Sequence, residues 1–221
     1  MQRHFDEELK GLREKLYEMG LSVEASIDKA MRSLFERDSK LAKEVRIDDK
    51  KIDDLELEID AECLRLLALR QPAAFDLRLI SMTMRAIHDL ERMGDQAVNI
   101  TDKSVLLNQE TPLKPLDDLS KMSEIAKSMV RSALESFIEG NVEKAKLVLK
   151  IDDELDQLNY SVYSELSDIM RKKSDTIDRG LNLIMVSHNL ERLGDLATNI
   201  AEDVIYLIEG IDIRHHKAEQ F

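Results

Sequence analysis

The sequence predicts an all-α protein built as two tandem, pseudo-symmetric, antiparallel three-helix bundles. Three observations carry that expectation. The 221 residues hold only 7 Gly, 3 Pro and no Trp among many Leu, Glu, Lys, Ala and Met, side chains that lose little freedom in a helix. Strand-like alternation of apolar and polar residues is absent over any useful length. The thirteen residues HDLERMGDQAVNI at 88–100 return as HNLERLGDLATNI at 188–200, nine of them identical.

Turn signals cut the chain into six helical segments. The first runs from about Phe5 to about Arg37 and ends in RDSK, where Asp38 and Ser39 offer capping oxygens to the next helix. The second extends to about Arg70. In RQPAAFDLR, Pro72 suits the first turn of a third helix and Asp76 suits the positive end of its dipole. That helix carries the first motif and ends near Asn108. QETPLKP then breaks the chain, because Pro112 and Pro115 cannot continue a helix. In the second half, Gly140 supplies a helix stop with Asn141 as the next N-cap, and KKSDT precedes the last helix. The expected units are 1–110, 116–210 and a C-terminal tail, 211–221. The repeat is wider than the motif: DKKIDDL from Asp49 aligns with DDELDQL from Asp152, so second and third helices of each half correspond.

Composition narrows the function. A 43% apolar chain of this length can bury a real core. With 45 Asp plus Glu against 32 Lys plus Arg, the formal charge of −13 repels nucleic acid. The single cysteine, Cys63, excludes an intrachain disulfide framework and reads as a small buried hydrophobe in a reducing cytoplasm. Neither a secretory leader nor a membrane-spanning apolar run is expected.

The motif has a geometry. At about 100° per residue, Glu91, Asp95, Asn99 and Asp102 fall within an arc of roughly 80° on one helix, with His88 inside it. Leu79, Met82, Ala86, Leu90, Met93, Ala97 and Ile100 take the other side, so the acids face outward. On the second helix Asp49, Asp53, Glu56 and Asp60 share a side away from Ile52, Leu55 and Ile59. Four acid pairs at i and i+4 result: Asp49 with Asp53, Glu91 with Asp95, Asp152 with Asp156, and Glu191 with Asp195. Any one pair alone reads as an ordinary solvated helix face. Like charges at that spacing destabilise a helix by about 0.2–0.5 kcal/mol per pair, which a multivalent cation on hard oxygen donors would offset. Gly94 and Gly194 inside the motifs, at a helix cost of about 1 kcal/mol each, point to close approach of a neighbour or to plain tight packing.

RQPAAFDLR followed by LERMGDQAVNI, with LERLGDLATNI one unit later and an Asp-x-x-x-Asp before each, resembles the PhoU family of phosphate-signalling proteins. The resemblance covers the chain to about Gly210. It implies metal ions held on the bundle surfaces by acidic motifs, which fall here on Asp49, Asp53, Glu91 and Asp95, and on Asp152, Asp156, Glu191 and Asp195. Asn99 and Asn199 continue the stripes. Metal identity stays open among Fe, Mn, Mg and Zn. The second half has KKSDTIDRG where the first has RQPAAFDLR, so any role of that loop belongs to the first half. The resemblance further implies a cytoplasmic negative regulator of the phosphate-starvation response, linking the ATPase subunit of a phosphate transporter to a sensor histidine kinase. A homodimer is the expected assembly.

The competing class is a carboxylate-bridged metal enzyme of the ferritin-like type, whose ligands project inward and include Glu-x-x-His. The sequence contains no Glu-x-x-His, only the reverse order at His88 and His188. A helical structural protein is the third reading, and it leaves the duplicated acid stripes unexplained. No catalytic residues are expected. Arg78, Arg85 and Arg92, seven residues apart, are expected to neutralise the acid stripe through surface ion pairs worth about 0–1 kcal/mol each, with a docking surface for an acidic partner as the alternative. His215 and His216 read as part of a disordered end.

Overall fold

The computed structural model describes residues 2–214. Six helices follow one another: α1 (Gln2–Phe35), α2 (Leu41–Arg70), α3 (Ala74–Leu107), α4 (Asp117–Glu139), α5 (Val142–Lys172) and α6 (Ile177–Glu209). A short 3-10 turn, Ser174–Thr176, precedes α6, and the described residues contain no strand. The apolar spacing explains each helix. Leu12, Leu16, Met19, Val23, Ile27, Ala30 and Met31 line the buried stripe of α1, and Ile52, Leu55, Ile59, Cys63 and Leu66 that of α2. Burial among these side chains pushes the Cys63 thiol up to about 12, so it stays protonated and packs as a hydrophobe.

Several helix ends follow the turn signals and others depart from them. Gly140 adopts the left-handed conformation at φ 64° and closes α4, and the Asn141 side chain accepts the Lys144 N–H at 3.1 Å as the α5 cap. Before α2, Asp38 accepts the Lys40 N–H at 2.9 Å, whereas the Ser39 hydroxyl accepts from Asn108 instead of capping. Pro72 lies ahead of α3 rather than in its first turn, because Ala73 is still extended at φ −121°. Arg37, at the end of the first helical hairpin, donates to the carbonyls of Asn108 at 2.8 Å and Glu110 at 2.6 Å. A cation thus closes the negative end of α3.

The three helices of each half pack together, α1 with α2 and α3, and α4 with α5 and α6. The most extensive helix contact, however, joins the halves: α3 against α6, supported on the far side by α1 against α4. Side-chain pairs linking Asp89 with Asn199 and Arg85 with Asp203 show that α3 and α6 run antiparallel. A Cβ at Gly20 would overlap the Leu134 side chain, so α1 and α4 approach closely there. One continuous apolar cluster runs through both halves. It extends beyond α6, where Ile213 in the expected tail is only 4% exposed. His215 and His216 lie outside the described residues.

Phe137 on α4 is the largest of the fully buried side chains. Phe137→Ala is expected to lower unfolding stability by about 3–5 kcal/mol in urea titrations. A loss below about 1 kcal/mol would contradict the packing described.

Candidate functional site

The groove between α2 and α3 gathers the first acid set. Asp49 and Glu91 are half-buried at its floor, while Asp53 and Asp95 are exposed at its rim. Gly94 explains the depth. A Cβ there would stand 3.1 Å from Asp49 Oδ1 and 3.2 Å from Ile52 Cδ1, so the missing side chain lets the Asp49 carboxylate settle over α3. Desolvation, then repulsion from Asp53 and Asp95, pushes the Asp49 carboxyl up to about 6, opposed by Arg46. Glu91 is raised by desolvation and by the charges of Asp95, Glu56, Asp53 and Asp49.

The groove between α5 and α6 repeats the arrangement. Asp152 and Glu191 are half-buried, with Asp156 and Asp195 exposed. A Cβ at Gly194 would meet Leu155 Cδ2 at 2.6 Å and Asp152 Oδ1 at 3.3 Å, so the same glycine device operates twice. Burial and Asp195 raise the Glu191 carboxyl, partly offset by His188, whose Nδ1 lies 3.1 Å from it. At both glycines the nearest atoms are side-chain atoms, which is the tight packing that the sequence left open beside a close backbone approach.

The donor set suits a hard multivalent cation. Among the described residues, Asp49, Asp53, Glu91 and Asp95 have neither an ion pair nor a side-chain hydrogen bond, although most other acids on the surface are paired. Carboxylates crowded without a counter-charge are what such a cation neutralises. No three His, Cys, Asp or Glu side chains among the described residues are already drawn to ligating geometry. The donors are collected along each groove without closing on one point.

The remaining residues of the predicted stripes divide. Asn99 is exposed. Asn199 turns away from its stripe and donates to Asp89 of α3 at 3.4 Å. At the α2–α3 groove, Asp102 pairs with Arg46 at 2.5 Å and His88 meets Glu56 at 2.5 Å, so both are already partnered. Glu56 was read in the acid stripe of α2 without its histidine partner, and Arg46 was not singled out in the sequence. Arg78 and Arg85 do not neutralise the acid stripe: Arg78 Nε donates to the Leu207 carbonyl at 3.2 Å, and Arg85 Nη1 lies 2.9 Å from Asp203. Arg78 and Arg85 thus face α6, where the acid that Arg85 pairs with, Asp203, belongs to the other half of the molecule. Arg92 remains exposed.

Comparison with known families matches the PhoU domain twice, over residues 16–103 and 119–204. The chain is 39% identical over 213 residues to the phosphate-specific transport system accessory protein PhoU homolog of Aquifex aeolicus, covering 96% of each. The homolog from Pseudomonas aeruginosa is 39% identical over 215 residues, covering 96% of this chain and 88% of that one. Among solved structures, PhoU from Pseudomonas aeruginosa superimposes with a TM-score of 0.91 at 38% identity, covering 94% of this chain and all of the other. The phosphate transport system regulatory protein PhoU from Streptococcus pneumoniae gives 0.88 at 31% identity, over 94% and 98%.

Removing the mutual repulsion has a measurable consequence. In metal-free protein, replacing Glu91 and Asp95 together with Ala is expected to raise stability by about 0.2–0.5 kcal/mol. A clear loss of stability in urea unfolding would show that these carboxylates are held by attraction rather than crowded by like charge.

Proposed function

The chain belongs to the PhoU family, and from that membership we propose that it is a cytoplasmic negative regulator of the phosphate-starvation response. In this reading it links the ATPase subunit of a phosphate transporter to a sensor histidine kinase and works as a homodimer. The named relatives support a regulatory role rather than catalysis, being called accessory or regulatory proteins. No described helix is long and apolar enough to cross a membrane, which fits a protein that meets membrane partners from one side.

The observation that carries the reading furthest is the pair of acid-lined grooves on a rigid helical surface. Asp49, Asp53, Glu91 and Asp95 would hold metal in the first half, and Asp152, Asp156, Glu191 and Asp195 in the second. A bound Mg, Mn, Fe or Zn ion would add positive charge among these carboxylates. Outward-facing carboxylates suit docking, where charge sets orientation and encounter rate. They make a poor water-excluded reaction centre, and the inward ligands of a ferritin-like enzyme have no counterpart in these grooves.

Two measurements test the proposal. Elemental analysis of protein purified without chelator should show metal, and the Glu91→Ala, Asp95→Ala double variant should lose about one site's share while keeping its helical signal. Unchanged metal content would remove the site assignment. Deleting the gene should derepress phosphate-starvation genes in phosphate-rich medium, and Ala substitution across one stripe should weaken co-purification with the ATPase or the kinase. Genes that stay repressed after deletion, with neither partner retained by the protein, would overturn the regulatory role.

A further inference from the structure

We propose that Asp203 is a proton-controlled latch between the two halves: protonated, it lets one end of the α3–α6 seam close under the segment that follows α6, and ionised, it loosens that end. The argument begins with an asymmetry. The hundred-residue repeat places Met185 and Lys103 at the positions equivalent to Arg85 and Asp203, and Asn189 at the position of Asp89. At that equivalent end Met185 is 47% exposed and lines an open cleft of about 520 Å³, while Asn189 donates to the Met185 carbonyl of its own helix at 2.6 Å. The fold therefore builds this seam position without an ion pair.

At the other end the seam is closed and charged. Asp203 is 0% exposed, Glu202 4% and Asp89 9%. Arg85 of α3 lies 2.9 Å from Asp203 Oδ1, yet neither carboxylate oxygen of Asp203 has a hydrogen bond among the described residues. Burial of a carboxylate with incomplete hydrogen bonding favours its neutral form. The charged groups facing Asp203 are Arg85 and Asp89 from α3, Glu202 beside it on α6, and Arg214 from the segment after α6, itself paired with Asp212. That segment also buries Ile213 in the core and brings Arg214 near Asp203.

Desolvation is the strongest influence on Asp203 and outweighs the opposing Arg85, pushing the carboxyl up to about 7. Asp203 takes its proton more readily folded than unfolded. The closed seam is thus fully favoured at pH below the ordinary carboxylate range, and that advantage is lost as pH rises through about 7. A group of this kind changes charge within the range a cell can reach, and its effect falls on the contact that joins the halves.

Carboxyl carbon-13 NMR of the full chain tests the latch directly. The Asp203 resonance should titrate with a midpoint above pH ~6, and Arg85→Met should move that midpoint upward. Amide hydrogen exchange, corrected for its intrinsic pH dependence, should show protection in 78–90 and 196–209 falling by up to about tenfold per pH unit between about pH 4 and 7 and levelling off above. Asp203→Asn should hold that protection constant. An Asp203 midpoint below pH ~5, or the same pH dependence in Asp203→Asn, would overturn the proposal. Should the Asn variant fail to fold, the titration of the unaltered chain still decides.

Discussion

The antiparallel packing of α3 against α6 is the constraint on which the rest of the molecule depends. Each of these helices is the third member of its own bundle, and each also gives a flank to the other half. An α-helix with neighbours on three sides keeps only a narrow solvent arc. On α3 that arc lies between α2 and α6, and it is where Glu91 and Asp95 emerge. The repeat puts Glu191 and Asp195 on the corresponding arc of α6. With α1 and α4 covering the opposite side, both acid grooves open on the face that carries the seam.

The same packing explains why the two grooves differ electrostatically from the remaining surface. Elsewhere the excess of acid is managed locally: Glu8 is held well down, to about 2, by hydrogen bonds from Arg70 and Arg65, and Lys29 reaches Asp48 at 2.7 Å. Arg131 and Glu24 pair across the α1–α4 contact. In the α2–α3 groove Arg46 pairs with Asp102, and among the described residues no basic side chain pairs with Asp49, Asp53, Glu91 or Asp95. The carboxylates instead crowd one another, and Asp49 and Glu91 hold their protons more readily than ordinary carboxylates. Exposed ion pairs contribute little individually, so the contrast matters less for stability than for what each region can bind.

Two kinds of acidic cluster thus coexist with opposite relations to solvent. The groove carboxylates are half-buried or exposed and accessible to a cation or a docking partner. Those at the seam, Asp203 above all, are shut away, where charge is costly and a proton is the available remedy. The grooves follow the internal repeat; the seam cluster violates it, since Met185 and Lys103 stand where Arg85 and Asp203 would be. The duplicated architecture carries the same surface acids in both copies, while only one end of the interface holds the Arg85–Asp203 pair.

The sequence alone determined the six helices, the break at Pro112 and Pro115, the duplication, the acid stripes and the two glycines, because each is a matter of local periodicity or local backbone chemistry. Helical spacing shows which residues share an arc, so Glu91 and Asp95 were legible together. It does not show which neighbour covers the adjoining arc. Asn199 was therefore read with the acids of its own helix although it bonds Asp89, and Arg78 and Arg85 were read as partners of the stripe although they reach Leu207 and Asp203. These partners lie more than a hundred residues apart in the chain, and only the docking of α3 on α6 brings them within reach. Burial is likewise a collective property: nothing in IAEDVIYLI marks its acids as buried, and it is the packing of α6 in the α3–α6 seam that makes Asp203 a buried titratable group.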